Sequence, residues 1–164
     1  MDIILDELSY GLTDMSQFLH VIIRLVAATL LGAVVGIQRE YASKPAGLRT
    51  HILVCLGTGV FVITCSGAGM TLDGLSRVIQ GVITGIGFIG AGSILKISEE
   101  KDIQGLTTAA GIWMTAAIGV AVGLGSLGVA LLSTLFLLII LSLAGQIEHL
   151  TGKMRMAKVQ ETKN

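Results

Sequence analysis

The chain has 164 residues, of which 52% are hydrophobic and only 13% are charged, and its mean hydropathy is +0.83. This composition excludes an ordinary water-soluble domain, in which about a quarter of the residues are charged. Because 11 basic and 11 acidic side chains balance, the net charge gives no sign of nucleic acid as a partner. We expect membrane lipids to surround most of the chain.

The N-terminal segment, residues 1–17, is acidic and precedes the first apolar run. Its acidic flank and the lack of a small-residue cleavage site argue against a signal peptide. The first predicted span covers residues 18–37 and is interrupted only by His20 and Arg24.

Arg24 is the most costly residue to place in a bilayer. It either extends to the outer headgroups or faces the bundle interior, where backbone carbonyls or an anionic solute would pair with it. Its position in a four-residue repeat with Ala28, Gly32 and Gly36 favours the interior, because small residues mark close helix contacts.

The loop after the first span carries Arg39, Glu40 and Arg49. These charges either anchor the loop at the headgroups or form an ion-pair network at the cytoplasmic mouth of the bundle. Pro45 ends helical structure there, and Gly47 permits a turn before a second span at residues 51–68.

The third predicted span, residues 78–95, is uncharged and rich in glycine. In a membrane, small residues let helices pack closely. We therefore expect close packing at Gly81, Gly85, Gly87, Gly90 and Gly92. Alternatively, the glycines permit an unwound segment that faces a solute pathway.

The fourth and fifth spans are predicted at residues 106–123 and 127–145. Gly111, Thr115 and Gly119 continue the small-residue spacing in the fourth span. Thr107 and Thr108 open this span and either cap it or line the cytoplasmic mouth. A basic, polar tail follows at residues 146–164.

The chain is thus predicted to be an all-α integral membrane protein with a bundle of about five transmembrane helices and glycine-rich packing. Nine of the 11 Lys and Arg residues fall on the side of the C-terminus, which predicts a cytoplasmic C-terminus and an outside N-terminus. No zinc-ligand spacing, nucleophile–base pair or cofactor motif is present, so we expect no metal, cofactor or catalysis. Residues 99–102 are predicted to form a solvated loop, and the alternative is that their carboxylates bind Mg²⁺ loosely.

Three motifs in order resemble the MgtC/SapB family of bacterial inner-membrane proteins. They are IQRE…KPAGLRTHILVCLGTGVF, GVITGIGFIGAGSIL and GLTTAAGIWMTAAIGVAVGLG. The resemblance covers about residues 20–145 and implies a five-helix, multi-pass inner-membrane domain. The virulence branch of the family carries a soluble C-terminal domain, whereas the short tail here indicates a short, membrane-only form.

The resemblance also implies roles in growth at low magnesium, acid stress, membrane potential and survival in host cells. We expect a non-enzymatic regulator of a membrane-protein partner. The alternative is a small oligomeric transporter or channel for an ion or small anionic solute, with Arg24 and the third span on its path. Five helices are few for a monomeric transporter, so a homo-oligomer is expected.

Overall fold

The computed structural model describes residues 14–97 and 102–161. Within these ranges the chain forms five α-helices and one short β-hairpin. In chain order the elements are α1 (Met15–Tyr41), α2 (Leu48–Gly67), α3 (Leu72–Gly92), β1 (Leu95–Ile97), β2 (Asp102–Gln104), α4 (Leu106–Gly123) and α5 (Leu127–Glu161).

The first four helices, α1 to α4, are each long and apolar enough to cross a membrane. The apolar part of α5 is Leu127–Leu143, which is slightly shorter. The prediction of a helical membrane protein with about five helices is confirmed. The orientation of the bundle stays a prediction.

The hairpin between α3 and α4 was not predicted. Strands β1 and β2 pair antiparallel, with Lys96 opposite Ile103. The three-residue strands are too short to give an alternating pattern that a sequence reading could detect.

Two helices differ most in extent from the prediction. Helix α3 begins at Leu72 rather than near residue 78, so that Asp73 and Arg77 lie on the helix itself. Thr71 caps this start by accepting a 3.3 Å hydrogen bond from the Gly74 N–H. Helix α5 continues to Glu161, because the tail is rich in Lys, Met, Gln and Glu, which all favour helix.

Helix α2 packs between α1 and α4 through glycine contacts. A Cβ atom on Gly32 would lie 2.7 Å from the His51 carbonyl oxygen, and one on Gly36 would lie 2.6 Å from Leu48 Cα. On the other side of α2, a Cβ atom on Gly119 would overlap Thr58 Oγ1 and the Cys55 carbonyl oxygen. These three helices therefore approach almost backbone to backbone, as in other membrane bundles.

The outer helices complete the bundle less tightly. Helix α5 adds Ala130, Leu137 and Leu141 to a core cluster that includes Val35 and Ile118. Helix α3 lies against α4 at its C-terminal end, where a Cβ on Gly90 would be in ordinary contact with Ala109 Cβ, at 3.6 Å.

Close packing of the other α3 glycines was predicted and is wrong within this chain. Gly81, Gly85, Gly87 and Gly92 are exposed, and a Cβ atom on any of them would meet nothing within 4 Å. The alternative of an unwound segment is also wrong, since α3 is one continuous helix from Leu72 to Gly92.

Candidate functional site

The polar side chains inside the bundle lie along α4, from its start to its last turn. At its start, Thr108 lies beside the last turn of α1, where Arg39 is only 2% exposed. Arg39 Nη2 donates a 3.3 Å hydrogen bond to Thr108 Oγ1, which is also 2% exposed. The cationic side chain is also favourably placed at the C-terminal end of α1, where the helix dipole is negative.

One turn into α2, the fully buried His51 extends the same polar region. Its Nδ1 lies 2.7 Å from Thr115 Oγ1, and that hydroxyl also donates to the Gly111 carbonyl oxygen at 2.8 Å. We call Arg39, His51, Thr108 and Thr115 the buried polar cluster; it links α1, α2 and α4.

His51 was missed as a member of this site when the sequence was read. The sequence did contain a signal. Arg39, His51 and Thr108 are polar residues at the ends of three apolar spans, and the charge bias predicts that these ends lie on the same side of the membrane. Nothing in the spacing of three separate helices, however, shows which side chains will touch.

Glu40 serves the loop that follows α1. Its Oε2 accepts a 3.0 Å hydrogen bond from the Leu48 N–H, which is one of the free amides at the start of α2. A Cβ atom on Gly47 would lie 2.9 Å from the same carboxylate oxygen, so a larger residue there would displace the end of the Glu40 side chain. Glu40 thereby fixes the turn from α1 into α2.

The remaining predicted residues of this end face outward. Arg49 and Thr107 are exposed, as are Tyr41 and Lys44. Arg39 is buried, whereas Glu40 and Arg49 are exposed. Headgroup anchoring and an ion-pair network both stay predictions for these three residues.

Arg24 lies at the other end of α4. Its Nη1 donates a 3.0 Å hydrogen bond to the Gly123 carbonyl oxygen, in the last turn of that helix. Gly125 follows with φ +80°, and a Cβ atom there would lie 2.6 Å from Arg24 Nη2. Arg24 is half-buried and is paired with a backbone carbonyl, which was one of the partners considered for an interior arginine.

Replacing Arg24 by alanine removes a cation from the negative end of α4 and frees the Gly123 carbonyl. We expect Arg24→Ala to lower the free energy of unfolding by about 1 kcal/mol, and Arg24→Lys to lower it less because the charge remains. Thermal unfolding of the purified variants in one detergent measures both. Equal stability of the two variants and the parent would show that this hydrogen bond contributes nothing.

A groove of about 650 Å³ opens between α2 and α3 and is largely apolar. Its lining includes Phe61, Val78 and Ile89, together with the exposed backbone at Gly81 and Gly85. Thr58, the polar side chain on its wall, already donates to backbone carbonyls of α2 and α4. The groove therefore suits hydrocarbon better than an ion.

Metal ligands are not gathered in the described residues: no three His, Cys, Asp or Glu side chains come together there. The alternative of loose Mg²⁺ binding falls on residues 99–101, which lie outside the described residues, and on Asp102, of which the backbone alone is described.

Apolar helices joined through glycines, with buried polar bonds between them, define a multi-pass membrane protein. The MgtC family model matches residues 25–150. The chain belongs to the MgtC family.

Curated relatives agree with this assignment. Protein SrpB of Synechococcus elongatus is 44% identical over 73% of this chain and 71% of its own length. The putative magnesium transporter YhiD of Escherichia coli strain K12 is 41% identical over 77% of this chain, and Protein MgtC of Salmonella typhimurium strain LT2 is 42% identical over 71%. The matches span 61% of YhiD and 49% of MgtC. No solved structure matches the chain significantly.

Proposed function

We propose that this MgtC family member is a non-enzymatic regulator in the bacterial inner membrane, which supports Mg²⁺, pH or membrane-potential homeostasis under stress through a membrane-protein partner. The observation that supports the proposal is that both arginines inside the bundle form hydrogen bonds to a neighbouring helix. Arg24 binds the Gly123 carbonyl and Arg39 binds Thr108, so both hold helices together instead of facing an open path for a solute.

A partner would find its polar contacts at the end of the bundle that carries the α1–α2 loop. Tyr41 is 88% exposed there, and Lys44, Arg49 and Thr107 are exposed with it. Tyrosine and arginine are frequent in the residues that dominate binding at protein interfaces. The relative YhiD is named a putative magnesium transporter, which supports the link to magnesium.

The test combines a cellular and a purified assay. In a bacterium lacking its own copy, the parent protein should restore growth at low Mg²⁺ and a normal membrane potential. Arg49→Ala should fail to do so while keeping the parent's melting temperature, because an exposed side chain holds no part of the fold. The exposed Lys44→Ala, at the same end, is the matched control for loss of one surface charge.

Liposomes that contain only the purified protein should pass no H⁺, K⁺ or Mg²⁺. Saturable flux through these liposomes would overturn the regulator proposal. Full complementation by Arg49→Ala would remove Arg49 from the proposed contact surface and leave headgroup anchoring as its role.

A second candidate function is a small oligomeric transporter or channel for an ion or a small anionic solute, with Arg24 and α3 on the path. The exposed polar and glycine residues of α3 favour it, because they could line a path between copies. The same liposome assay decides: flux that saturates and disappears in Arg24→Ala would establish transport.

A further inference from the structure

Helix α3 carries a line of exposed polar side chains. Asp73, Arg77, Gln80 and Thr84 follow one another at spacings of four, three and four residues, which places them on one face of the helix. All four are exposed, and α3 is the least buried of the four long apolar helices. We call these four residues the polar stripe of α3.

Gln80 is the residue of this stripe that most needs a partner. It lies eight residues after the start of α3, about 12 Å along the helix, at a depth where hydrocarbon surrounds a spanning helix. Thr84 satisfies its own hydroxyl by donating to the Gln80 carbonyl oxygen at 2.9 Å. The Gln80 side-chain amide makes no hydrogen bond with any described residue, and lipid tails offer it neither donor nor acceptor.

The two charged side chains at the start of α3 also lack a partner among the described residues. Asp73 and Arg77 have opposite charges and are separated by one helical turn, yet no ion pair involves either of them in the described ranges. Each is exposed and available to an opposite charge on another molecule. Beyond Gln80 and Thr84, the same face continues with the exposed Gly87 and Ala91, which leave room for a close neighbour.

We propose that a second copy of this chain covers the polar stripe, with α3 packed against α3 about a two-fold axis along the membrane normal. A two-fold axis brings the same residue of both copies together, and the glutamine amide can both donate and accept, so that Gln80 pairs with Gln80 of the second copy. Asp73 of each copy then lies near Arg77 of the other. The proposal rests on these contacts alone and holds whether the protein regulates a partner or transports a solute.

The first test measures dimerisation of the full chain in liposomes over a range of protein-to-lipid ratios, by energy transfer between labelled copies. Gln80→Leu should raise the dissociation constant of the dimer about 3- to 30-fold, the range that corresponds to one hydrogen bond between membrane helices. Gln80→Asn keeps an amide and should retain much of the affinity. Thr64→Val, at an exposed position of α2, is the control for loss of a polar group elsewhere.

The second test locates the interface in native membranes and does not depend on the stability of Gln80→Leu. In a Cys65→Ser background, Gln80→Cys should form a disulfide-linked dimer under mild oxidation, whereas Leu53→Cys, on the exposed face of α2, should not. Energy transfer that shows monomers at all densities, an unchanged dissociation constant in Gln80→Leu, or crosslinks from position 53 instead of 80 would each overturn the proposal. Capture of a different protein at position 80 would overturn it as well.

Discussion

Replacing Gly119 by alanine is expected to lower the free energy of unfolding by about 3 kcal/mol or more. The added methyl group would overlap Thr58 Oγ1 and the Cys55 carbonyl oxygen on α2. Neither neighbour can retreat cheaply, because one is backbone and the other is a buried hydroxyl that donates to the Ala116 carbonyl at 3.2 Å. Helices α2 and α4 would have to move apart, and this would disrupt the packing at the centre of the bundle.

The yield of monodisperse protein after a heating series in detergent measures this effect. Gly57→Ala on α2 is the matched control, since a Cβ atom at Gly57 would meet nothing within 4 Å. That variant should match the parent or exceed it slightly, because alanine favours helix over glycine. If the two substitutions lowered the yield equally, close packing at Gly119 would not be the cause.

Thr108→Val is expected to give the second large loss, about 1.5–3 kcal/mol of unfolding free energy. Valine has nearly the shape of threonine but places a methyl group where the Arg39 guanidinium donates its hydrogen bond. Because Arg39 is buried, water cannot replace the lost acceptor. The contact between the end of α1 and the start of α4 should loosen.

Thr107→Val supplies an almost ideal comparison, since it makes the same chemical change one residue earlier at an exposed position. It should alter the unfolding free energy by less than about 0.5 kcal/mol. Thermal unfolding of both variants in the same detergent provides the measurement. A Thr108→Val protein as stable as Thr107→Val would show that the buried hydrogen bond is dispensable.

The apolar spans could be predicted from the sequence because hydrocarbon imposes length and composition on every spanning helix. Contacts of individual glycines could not. Helix α3 has the highest local density of glycine, yet Gly81 and Gly85 face outward, whereas the less conspicuous Gly32 and Gly119 meet backbone atoms of α2. Small residues permit a close approach, but the arrangement of the neighbouring helices decides which of them is approached.

Part of the polar site could also be predicted, because a membrane makes a buried charge costly. The cost of burying a charge marked Arg24 as a residue that needs a partner inside a membrane, whereas Arg39 was assigned to the loop after the first span. The partner of Arg24 is a backbone carbonyl 99 positions away, and carbonyls carry no signal in the sequence. His51 was not predicted as part of the site, because its partner Thr115 was interpreted as one of the regularly spaced small residues of α4.

The two arginine contacts fix how α1 and α4 can move. Arg24 and Arg39 are 15 residues apart on α1, and their acceptors, Thr108 and Gly123, are 15 residues apart on α4 in the opposite direction. The antiparallel pair is therefore fastened at two points about 22 Å apart. Sliding α1 past α4 by one turn would break both contacts at once, so the two hydrogen bonds together oppose such a slide. A displacement of helices within the bundle is therefore expected to involve α3 and α5, which pack less tightly, before α1 and α4.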